Sequence, residues 1–237
     1  INFADNNVMS LSIVIPAHNE AKYIGACLRA IAAQTQPPDE VILVDNNSKD
    51  DTIALAQNVC LKQLRIIHES KQGIGHARTA GFNAAKCSII GRIDADTILP
   101  PSWCKQVTSA FTDKKLDAIT GPAEFYDFHK IVRPTITRLH TRLYFHRTEQ
   151  MMGSPTLWGS NMAITRAMWQ QVRAEVTDDD SLIHEDVDLA IQIYKAGGRI
   201  LFDPKLTVAV KMRQLYRSPR STYRYFKRRR STIEHSK

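Results

Sequence analysis

The feature that most constrains this chain is the alternation of short β-rich runs with helical segments over its first hundred residues. Runs at 11–15, 41–44, 64–67 and 88–93 predict strands, and segments at 20–33, 51–58 and 75–85 predict helices. This alternation predicts an α/β fold with a parallel sheet covered on both faces. Because ligands of such sheets bind beyond the carboxyl ends of the strands, the polar segments 16–20, 45–48 and 94–96 should lie along one edge.

The second half of the chain is less regular. We expect a helix over 101–111, one or two strands over 117–125, helical structure over 131–147 interrupted by Pro134, and a loop over 151–160. The spacing of Val187, Ala190, Ile191 and Tyr194 predicts a helix over 186–196. No repeat or linker divides the 237 residues, so we expect one domain over 11–212 between an N-terminal extension (1–10) and a C-terminal tail (213–237).

Several protein classes are disfavoured by what the sequence lacks. No apolar run approaches the ~18 residues that cross a bilayer, and residues 1–8, which we expect to be dispensable, do not resemble a secretory signal. Cysteines 27, 60, 87 and 104 are scattered without C-x-x-C spacing, which indicates reduced thiols, mostly in the core. We therefore expect a cytoplasmic protein, peripheral at the inner face of a membrane if it contacts one.

The net charge of +8 is unevenly distributed. From Lys211 onward there are ten Lys and Arg against Glu234 alone, whereas residues 1–210 hold 22 Lys and Arg against 23 Asp and Glu. Tyr216, Tyr223, Tyr225 and Phe226 are interleaved with the C-terminal cations. Such a tail is attracted to an anionic membrane, by ~1 kcal/mol per cation near its surface, and to nucleic acid, which we favour less. The remaining alternative is a solvated basic helix.

Asp94 and Asp96 directly follow the fourth predicted strand. The bare D-x-D pattern is uninformative, because Asp178/Asp180 and Asp186/Asp188 match it as well. The position at the ligand edge is informative, since two carboxylates there repel each other unless a cation joins them. Hard oxygen ligands suit Mn²⁺ or Mg²⁺ bridging to substrate phosphates. The alternative is a helix-capping Asp beside a solvated one.

Asp45 ends the second predicted strand, where it could accept hydrogen bonds from a nucleoside or cap the helix that starts near Asp51. Residues 16–20 read Pro-Ala-His-Asn-Glu, so the glycine-rich G-x-G-x-x-G loop is missing after the first strand. No Walker loop occurs elsewhere. These absences argue against NAD-dependent enzymes and P-loop NTPases.

Six motifs in order resemble the family 2 glycosyltransferases of the GT-A fold, over about residues 11–205. They are Pro16-Ala17-His18-Asn19-Glu20, Val44-Asp45-Asn46-Asn47-Ser48, Gly75-His76-Ala77-Arg78-Thr79-Ala80-Gly81, Asp94-Ala95-Asp96, Gly159-Ser160-Asn161-Met162-Ala163-Ile164 and Glu185-Asp186-Val187-Asp188-Leu189. The resemblance implies a Rossmann-like, mostly parallel sheet flanked by helices, with a nucleotide-binding half (11–100) and an acceptor half (101–212). It also implies inverting transfer of one sugar from a nucleoside diphosphate donor, with a UDP-sugar favoured, to a lipid-linked or polysaccharide acceptor.

The same resemblance implies a role for each matching residue. Donor binding falls to Pro16, Ala17, Asn19, Glu20, Asp45, Arg78, Asp94 and Ala95. Asp96 would be the main ligand of Mn²⁺ or Mg²⁺, and Asp186 the general base that deprotonates the acceptor hydroxyl. The acceptor side would comprise Trp158, Gly159, Ser160, Asn161 and Glu185.

The sequence departs from the family pattern at several points. His18 stands where Tyr is common, Ser160 replaces a common Gly, and no Q-x-x-R-W follows Asp186, which disfavours a processive synthase. The strand near 206–212 supplies no histidine for the metal. Two alternatives therefore stay open: a sugar-nucleotide nucleotidyltransferase, and a non-catalytic module that binds membranes or nucleic acid through its tail.

Overall fold

A seven-stranded sheet organises the computed structural model, which describes residues 9–179, 183–212 and 227–234. Strands β1 (Leu11–Ala17), β2 (Glu40–Asp45), β3 (Leu64–His68) and β4 (Ile89–Arg92) are parallel in the order β3-β2-β1-β4. β1 is buried along its whole length, as expected for a strand of a sheet covered on both faces.

Helices cover the two faces because successive residues of a strand point in opposite directions. Ile13 and Ile15 of β1 lie in one apolar cluster with helix α1 (Ile24–Ala32), whereas Val14 lies in a second cluster. Helix α2 (Thr52–Gln57) adds Ala56 to the first cluster, and helix α3 (Ile74–Ala84) adds Ala77 and Phe82 to the second. The strand and helix predictions for the first hundred residues are confirmed, with boundaries shifted by at most four residues.

The second half extends this sheet and builds a smaller one. After helix α4 (Trp103–Ala110) come β5 (Ala118–Thr120), β6 (Ala123–Phe125), α5 (Arg133–Thr141), a π-helical turn (Arg142–His146), α6 (Arg147–Met152), β7 (Met162–Thr165), α7 (Arg166–Val172), α8 (Glu185–Lys195), β8 (Ile200–Phe202) and β9 (Val208–Val210). β7 runs antiparallel between β4 and β5, and β8 joins β5 in parallel. β6 and β9 form a separate parallel pair.

Three expectations for the second half are wrong, and three elements have no counterpart in the sequence predictions. Pro134 lies in the first turn of α5 instead of interrupting a helix, because a proline in the first turn gives up no intrahelical hydrogen bond. The expected loop at 151–160 loses its first two residues to α6. Tyr194 is 52% exposed, and Ile193 takes the buried position on α8. β7, α7 and β8 were not predicted, because three- to seven-residue elements carry too few periods of a hydrophobic pattern.

The described part of the basic tail packs on the domain. Residues 227–234 are helical, and Ile233 is buried against Val187 and Ile191 of α8. The His184 backbone N–H donates to Thr232 Oγ1 at 2.8 Å. These contacts exclude a fully solvated helix for 227–234, whereas residues 1–8 and 213–226 lie outside the described part.

All four cysteines are free thiols, of which Cys60 is exposed and the others are buried, as expected. None of the helices in the described ranges combines the length and apolar character that crossing a bilayer requires.

Candidate functional site

A cleft of about 700 Å³ opens at the carboxyl ends of β1 and β4. Pro16, Ala17 and the Asp94–Asp96 segment line it on the sheet side. Trp158, Ser160 and the inner surface of α5 line it on the other side. The register explains this meeting, because Arg92 of β4 pairs with Met162 of the antiparallel β7. The segment that leads into β7 therefore lies next to the segment that leaves β4.

The turn after β1 is fixed by the loop after β2. Asn19 adopts a left-handed φ of 56°, which asparagine tolerates better than most residues. Its side-chain Oδ1 accepts from the Lys49 backbone N–H at 2.7 Å, and its own N–H donates to Ser48 Oγ at 3.1 Å. Pro16, Ala17 and Glu20 thus line the cleft, while Asn19 holds the turn in place.

Asp45 lies at the carboxyl end of β2, outside the lining of this cleft. Its Oδ1 accepts from the Ser48 backbone N–H at 3.0 Å, and its Oδ2 is 3.3 Å from His68 Nδ1. The alternative role of Asp45 as a cap of α2 is wrong. That helix begins at Thr52, whose N–H donates to Asp50 at 3.1 Å. The neighbouring Asn46 lines the cleft and bonds to the loop before α3.

Asp94 and Asp96 both line the cleft. Asp94 accepts a hydrogen bond from Ser160 Oγ and lies 3.4 Å from Arg92 Nη2. Asp96 is only 6% exposed. Within 9–179, 183–212 and 227–234, no group of three or more His, Cys, Asp or Glu side chains is arranged to hold a metal ion. A divalent cation fits here when substrate phosphates and water complete its coordination around one or two carboxylates, as Mg²⁺ sites commonly do.

Arg92 joins three carboxylates behind the cleft wall. Its Nη1 is 2.6 Å from Glu185 Oε1 and 2.5 Å from Asp186 Oδ1. Arg92, Glu185 and Asp186 are all at least 94% buried. Burial alone would lower the pKa of Arg92, but Glu185, Asp186 and Asp94 together raise it, so Arg92 stays charged. Burial raises the pKa of Glu185, which Arg92 opposes.

Gly159 brings the cleft wall against this charge cluster. Its backbone N–H donates to Asp186 Oδ2 at 2.8 Å. A Cβ at this position would lie closer than 3 Å to the guanidinium of Arg92. Only glycine therefore allows the chain to pass between Arg92 and the cleft. Asp186 itself is 5% exposed and lies in the first turn of α8, where the helix dipole favours a carboxylate.

Three other expected site residues lie behind the wall. Asn161 is fully buried, where it accepts from Trp103 Nε1 at 2.8 Å and donates to the carbonyl of Leu206 at 2.6 Å. Arg78 is also fully buried, 3.2 Å from Glu185 and 3.3 Å from Asp178. Glu185 bonds to Arg78 and Arg92. These three residues support the cleft and do not line it.

An aromatic cluster forms the outer part of the cleft. His140 lies 4.9 Å from Trp158 and stacks on Tyr144 at 5.4 Å between ring centroids. Burial, with a smaller effect of Arg229, lowers the pKa of His140 to about 4, so the ring is neutral at pH 7. His140 Nδ1 is buried without a hydrogen-bond partner among the described residues. Trp158, which is partly exposed in the lining, can therefore stack on a flat or apolar group in the cleft.

Sequence reasoning missed five residues of this site: Arg92, His140, Tyr144, Lys211 and Arg229. Arg92 had a usable signal, because it is the one charged residue in the apolar run 89–93. Tyr144 and His140 lie in the segment 131–147, for which the sequence predicts helical structure but no part of a site. Lys211 Nζ lies 2.9 Å from the Tyr23 hydroxyl, and Arg229 Cζ lies 5.3 Å from the Tyr144 ring centroid, so both cations line the cleft through contacts distant in sequence.

Comparison with known proteins gives one consistent group of relatives. The family model described as Glycosyl transferase family 2 matches residues 12–173. The putative glycosyltransferase EpsH of Bacillus subtilis is 28% identical over 134 residues, which cover 55% of this chain and 39% of that protein. A mannosyltransferase of Pyrobaculum calidifontis, solved in complex with GDP-Man and Mn²⁺, matches with a TM-score of 0.77 at 19% identity, over 96% of this chain and 64% of that one.

A second solved structure is glucosyl-3-phosphoglycerate synthase of Mycobacterium tuberculosis in complex with UDP. Its TM-score is 0.67 at 20% identity, over 96% of this chain and 80% of that one. These similarities confirm the expected GT-A fold. The chain spans about two fifths of the length of EpsH.

Proposed function

Because the chain belongs to glycosyl transferase family 2, we propose that it transfers one sugar from a nucleoside diphosphate donor to an acceptor hydroxyl, with inversion at the anomeric carbon. The observation that carries this proposal is one cleft with two carboxylates in its lining and a different carboxylate directly behind its opposite wall. Asp94 and Asp96 line its sheet side, and Asp186 lies directly behind Gly159 and Ser160 on the other. Transfer of this kind needs a site for a departing diphosphate and a base for the incoming hydroxyl.

For the donor we propose a UDP-sugar bound in the half formed by residues 11–100. The donor would be contacted in the cleft by four lining residues, Pro16, Ala17, Glu20 and Ala95. Asn19 and Asp45 would act from the adjoining loops, with Asp45 toward the base. UDP in the mycobacterial structure supports this choice, and GDP-Man in the archaeal one makes guanine the competing base. Because Arg78 is buried against Glu185, we assign it to positioning the start of α8 instead of contacting the donor.

We propose Asp96 as the main ligand of Mn²⁺ or Mg²⁺, with Asp94 beside it. When bound, the cation would supply Lewis-acid neutralisation of the departing diphosphate. The Mn²⁺ in the archaeal mannosyltransferase structure supports a divalent cation. Lys211 and Arg229 add positive charge to the same cleft.

Asp186 is our proposed general base. Its two oxygens accept from Arg92 and from the Gly159 N–H, yet a carboxylate offers about four acceptor positions. One of these positions could receive the proton of an acceptor hydroxyl as the new bond forms. Arg92 compensates the charge of the neighbouring carboxylates and fixes the orientation of Asp186.

For the acceptor we propose a lipid-linked or polysaccharide hydroxyl held in the half formed by residues 101–212. Trp158 and Ser160 line this side, backed by Gly159, Asn161 and Glu185. The apolar side chains Ile136, Leu139 and Leu143 in the lining favour a lipid-linked acceptor. We also propose that the basic tail (213–237) attracts an anionic membrane surface, at the cytoplasmic face.

The test is a panel of UDP-, GDP- and dTDP-sugars incubated with the protein, Mn²⁺ and an extract of lipid-linked glycans. We expect one donor to be consumed, with a product whose anomeric configuration is inverted, as read by NMR. Asp96→Asn should abolish the transfer that Mn²⁺ stimulates. Lys62→Asn, at the opposite end of the sheet, should leave transfer unchanged. Absence of transfer and of donor hydrolysis across the panel would contradict the proposal. Release of pyrophosphate from a nucleoside triphosphate and a sugar phosphate would favour the nucleotidyltransferase instead.

A further inference from the structure

Residues 129–148 form a strongly basic segment beside the cleft. The segment contains α5, the π-helical turn and the start of α6. It carries five cations, Lys130, Arg133, Arg138, Arg142 and Arg147, and no Asp or Glu. The rest of residues 1–210 holds 17 Lys and Arg against 23 Asp and Glu. The segment is therefore a local positive region on an otherwise acidic body.

The same segment exposes apolar side chains. Ile131 is 80% exposed, Leu139 54%, Val132 43% and Leu143 40%. These four account for half of the eight large apolar side chains exposed in the described ranges. Val132, Ile136, Leu139 and Leu143 follow the spacing of one helical stripe. Since Ile136, Leu139 and Leu143 also line the cleft, this stripe connects the outer surface with the cleft.

We propose that this face, residues 129–148, docks on an anionic membrane surface. Exposed apolar side chains flanked by arginines are the composition of helices that lie in the membrane interface. Arg138, Arg142 and Arg147 are exposed and would meet the lipid headgroups, while Ile131 and Leu139 would enter the boundary with the acyl chains. Nucleic acid would satisfy the cations but would leave these apolar groups in water.

Arg133 has a different role within this face. Its Nε donates to the carbonyl of Phe128 at 2.8 Å, and its Nη2 donates to the carbonyl of Tyr126 at 2.7 Å. These bonds anchor the start of α5 to the segment that follows β6. The face is thus held on the domain by Arg133 at its beginning and by the buried Tyr144 and Phe145 further along.

Docking through this face favours a lipid-linked acceptor over a polysaccharide acceptor. The apolar chain of a lipid-linked acceptor would lie along the stripe and carry its hydroxyl-bearing head toward Trp158. This step rests on the proposed function, whereas the docking itself does not. Membrane contact through this face belongs to the folded domain and is independent of the tail (213–237).

The test is flotation of the full chain with vesicles of phosphatidylcholine containing about 30% phosphatidylserine, against vesicles of phosphatidylcholine alone. We expect binding to the anionic vesicles that falls with salt. The variant Ile131→Ser/Arg138→Gln/Arg142→Gln should weaken binding at least about 25-fold, since each cation contributes about fivefold near such a surface. The control Lys62→Gln/Lys114→Gln removes the same charge from exposed turns before β3 and β5, at the sheet edge opposite the cleft, and should bind to within about fivefold of the unchanged chain.

All substituted side chains are exposed, so thermal unfolding should be unchanged in both variants. If the triple variant unfolds early, Arg138→Gln/Arg142→Gln alone should still weaken flotation about 25-fold. Equal binding by the face variant and the control would overturn the inference, as would loss of flotation only when Arg213, Arg217, Arg220 and Arg224 are changed to Gln. Binding to double-stranded DNA without binding to vesicles would also overturn it. Flotation needs neither donor nor acceptor, so its failure is distinct from a failure of sugar transfer.

Discussion

Arg92 is the residue on which the orientation of the proposed base depends. One buried guanidinium meets Asp94, Glu185 and Asp186, which come from the end of β4 and the start of α8. A buried charge cluster of this kind tolerates little displacement, because removal of one partner leaves an uncompensated charge at a cost of ~3–5 kcal/mol. Residues that touch Arg92 without being charged should therefore affect catalysis as well.

Gly159→Ala tests this dependence. The added Cβ would overlap the Arg92 guanidinium, so we expect the pair of Arg92 and Asp186 to shift. Overpacking should cost ~1–3 kcal/mol of stability, and a displacement of about 1 Å can cost ~10²-fold in rate. Both are measured by thermal unfolding and by initial rates of transfer. Gly25→Ala is the matched control, because its Cβ would meet only the side chain of Arg29, at 3.2 Å. Equal rates for the two variants would contradict the assignment of Gly159.

His140 gives a prediction about pH. Burial lowers the pKa of His140 to about 4, below the unfolded value near 6.5, so the unfolded chain binds the extra proton between these values. Stability should therefore fall as the pH drops from 7 to 5, by about 2 kcal/mol from this residue. Burial lowers the pKa of His184 to about 4 as well, so His184 also reduces the stability as the pH drops. The raised pKa of Glu185 has the opposite effect on stability over the same range.

His140→Phe keeps a ring in the aromatic cluster and removes the titration. Urea unfolding at pH 7 and pH 5 should show a loss of stability smaller by about 2 kcal/mol in this variant than in the unchanged chain. His129→Phe, at an exposed position, serves as the control and should show the full loss. An identical loss in all three proteins would show that His140 is not held neutral by burial.

At the scale of the elements, the helical residues 227–234 complete the cleft. They are held by Ile233 against α8 and contribute Arg229 to the lining. Helices get most of their stability from the packing of an apolar face, so the docking of residues 227–234 depends on this contact.

Ile233→Ala should weaken this docking by ~2–4 kcal/mol, the usual cost of such a truncation in a core. We expect amide hydrogen exchange in residues 227–234 to rise about 30-fold or more, and donor affinity to fall as Arg229 leaves the cleft. The control Ile131→Ala removes the same atoms from an 80% exposed side chain. It should change neither the amide exchange of residues 227–234 nor the donor affinity. Unchanged exchange at 227–234 would contradict the structural role of Ile233.

The elements also show why sequence reasoning succeeded in one half of the chain and failed in the other. β2 has a continuous apolar run, and the runs of β1, β3 and β4 are each interrupted by one polar residue, namely Ser12, Arg65 and Arg92. All four are followed by polar residues, so their order and the ligand edge could be predicted. The four residues of β7 run antiparallel to both neighbouring strands, yet their pairing with β4 and β5 depends on partners distant in sequence. Motifs identified Asp94 and Asp186, but the salt bridges through Arg92 depend on packing that no local pattern encodes.

At the scale of the whole molecule, three distant segments meet because of the strand order. β4 lies between β1 and β7, which brings the turn after β1, the Asp94–Asp96 segment and the approach to β7 to one cleft. α8 then places Asp186 behind that approach. This topology supports the proposed arrangement, in which the diphosphate binds on one side of the cleft and the acceptor hydroxyl on the other.

The most direct test of this account compares donor binding with sugar transfer in Asp186→Asn. Asparagine can still accept from Gly159 but cannot take up the proton of the acceptor hydroxyl. We predict that the affinity for the nucleoside diphosphate sugar stays within about twofold, while the transfer rate falls ~10²–10⁴-fold. Transfer at the unchanged rate in a folded Asp186→Asn variant would contradict the account.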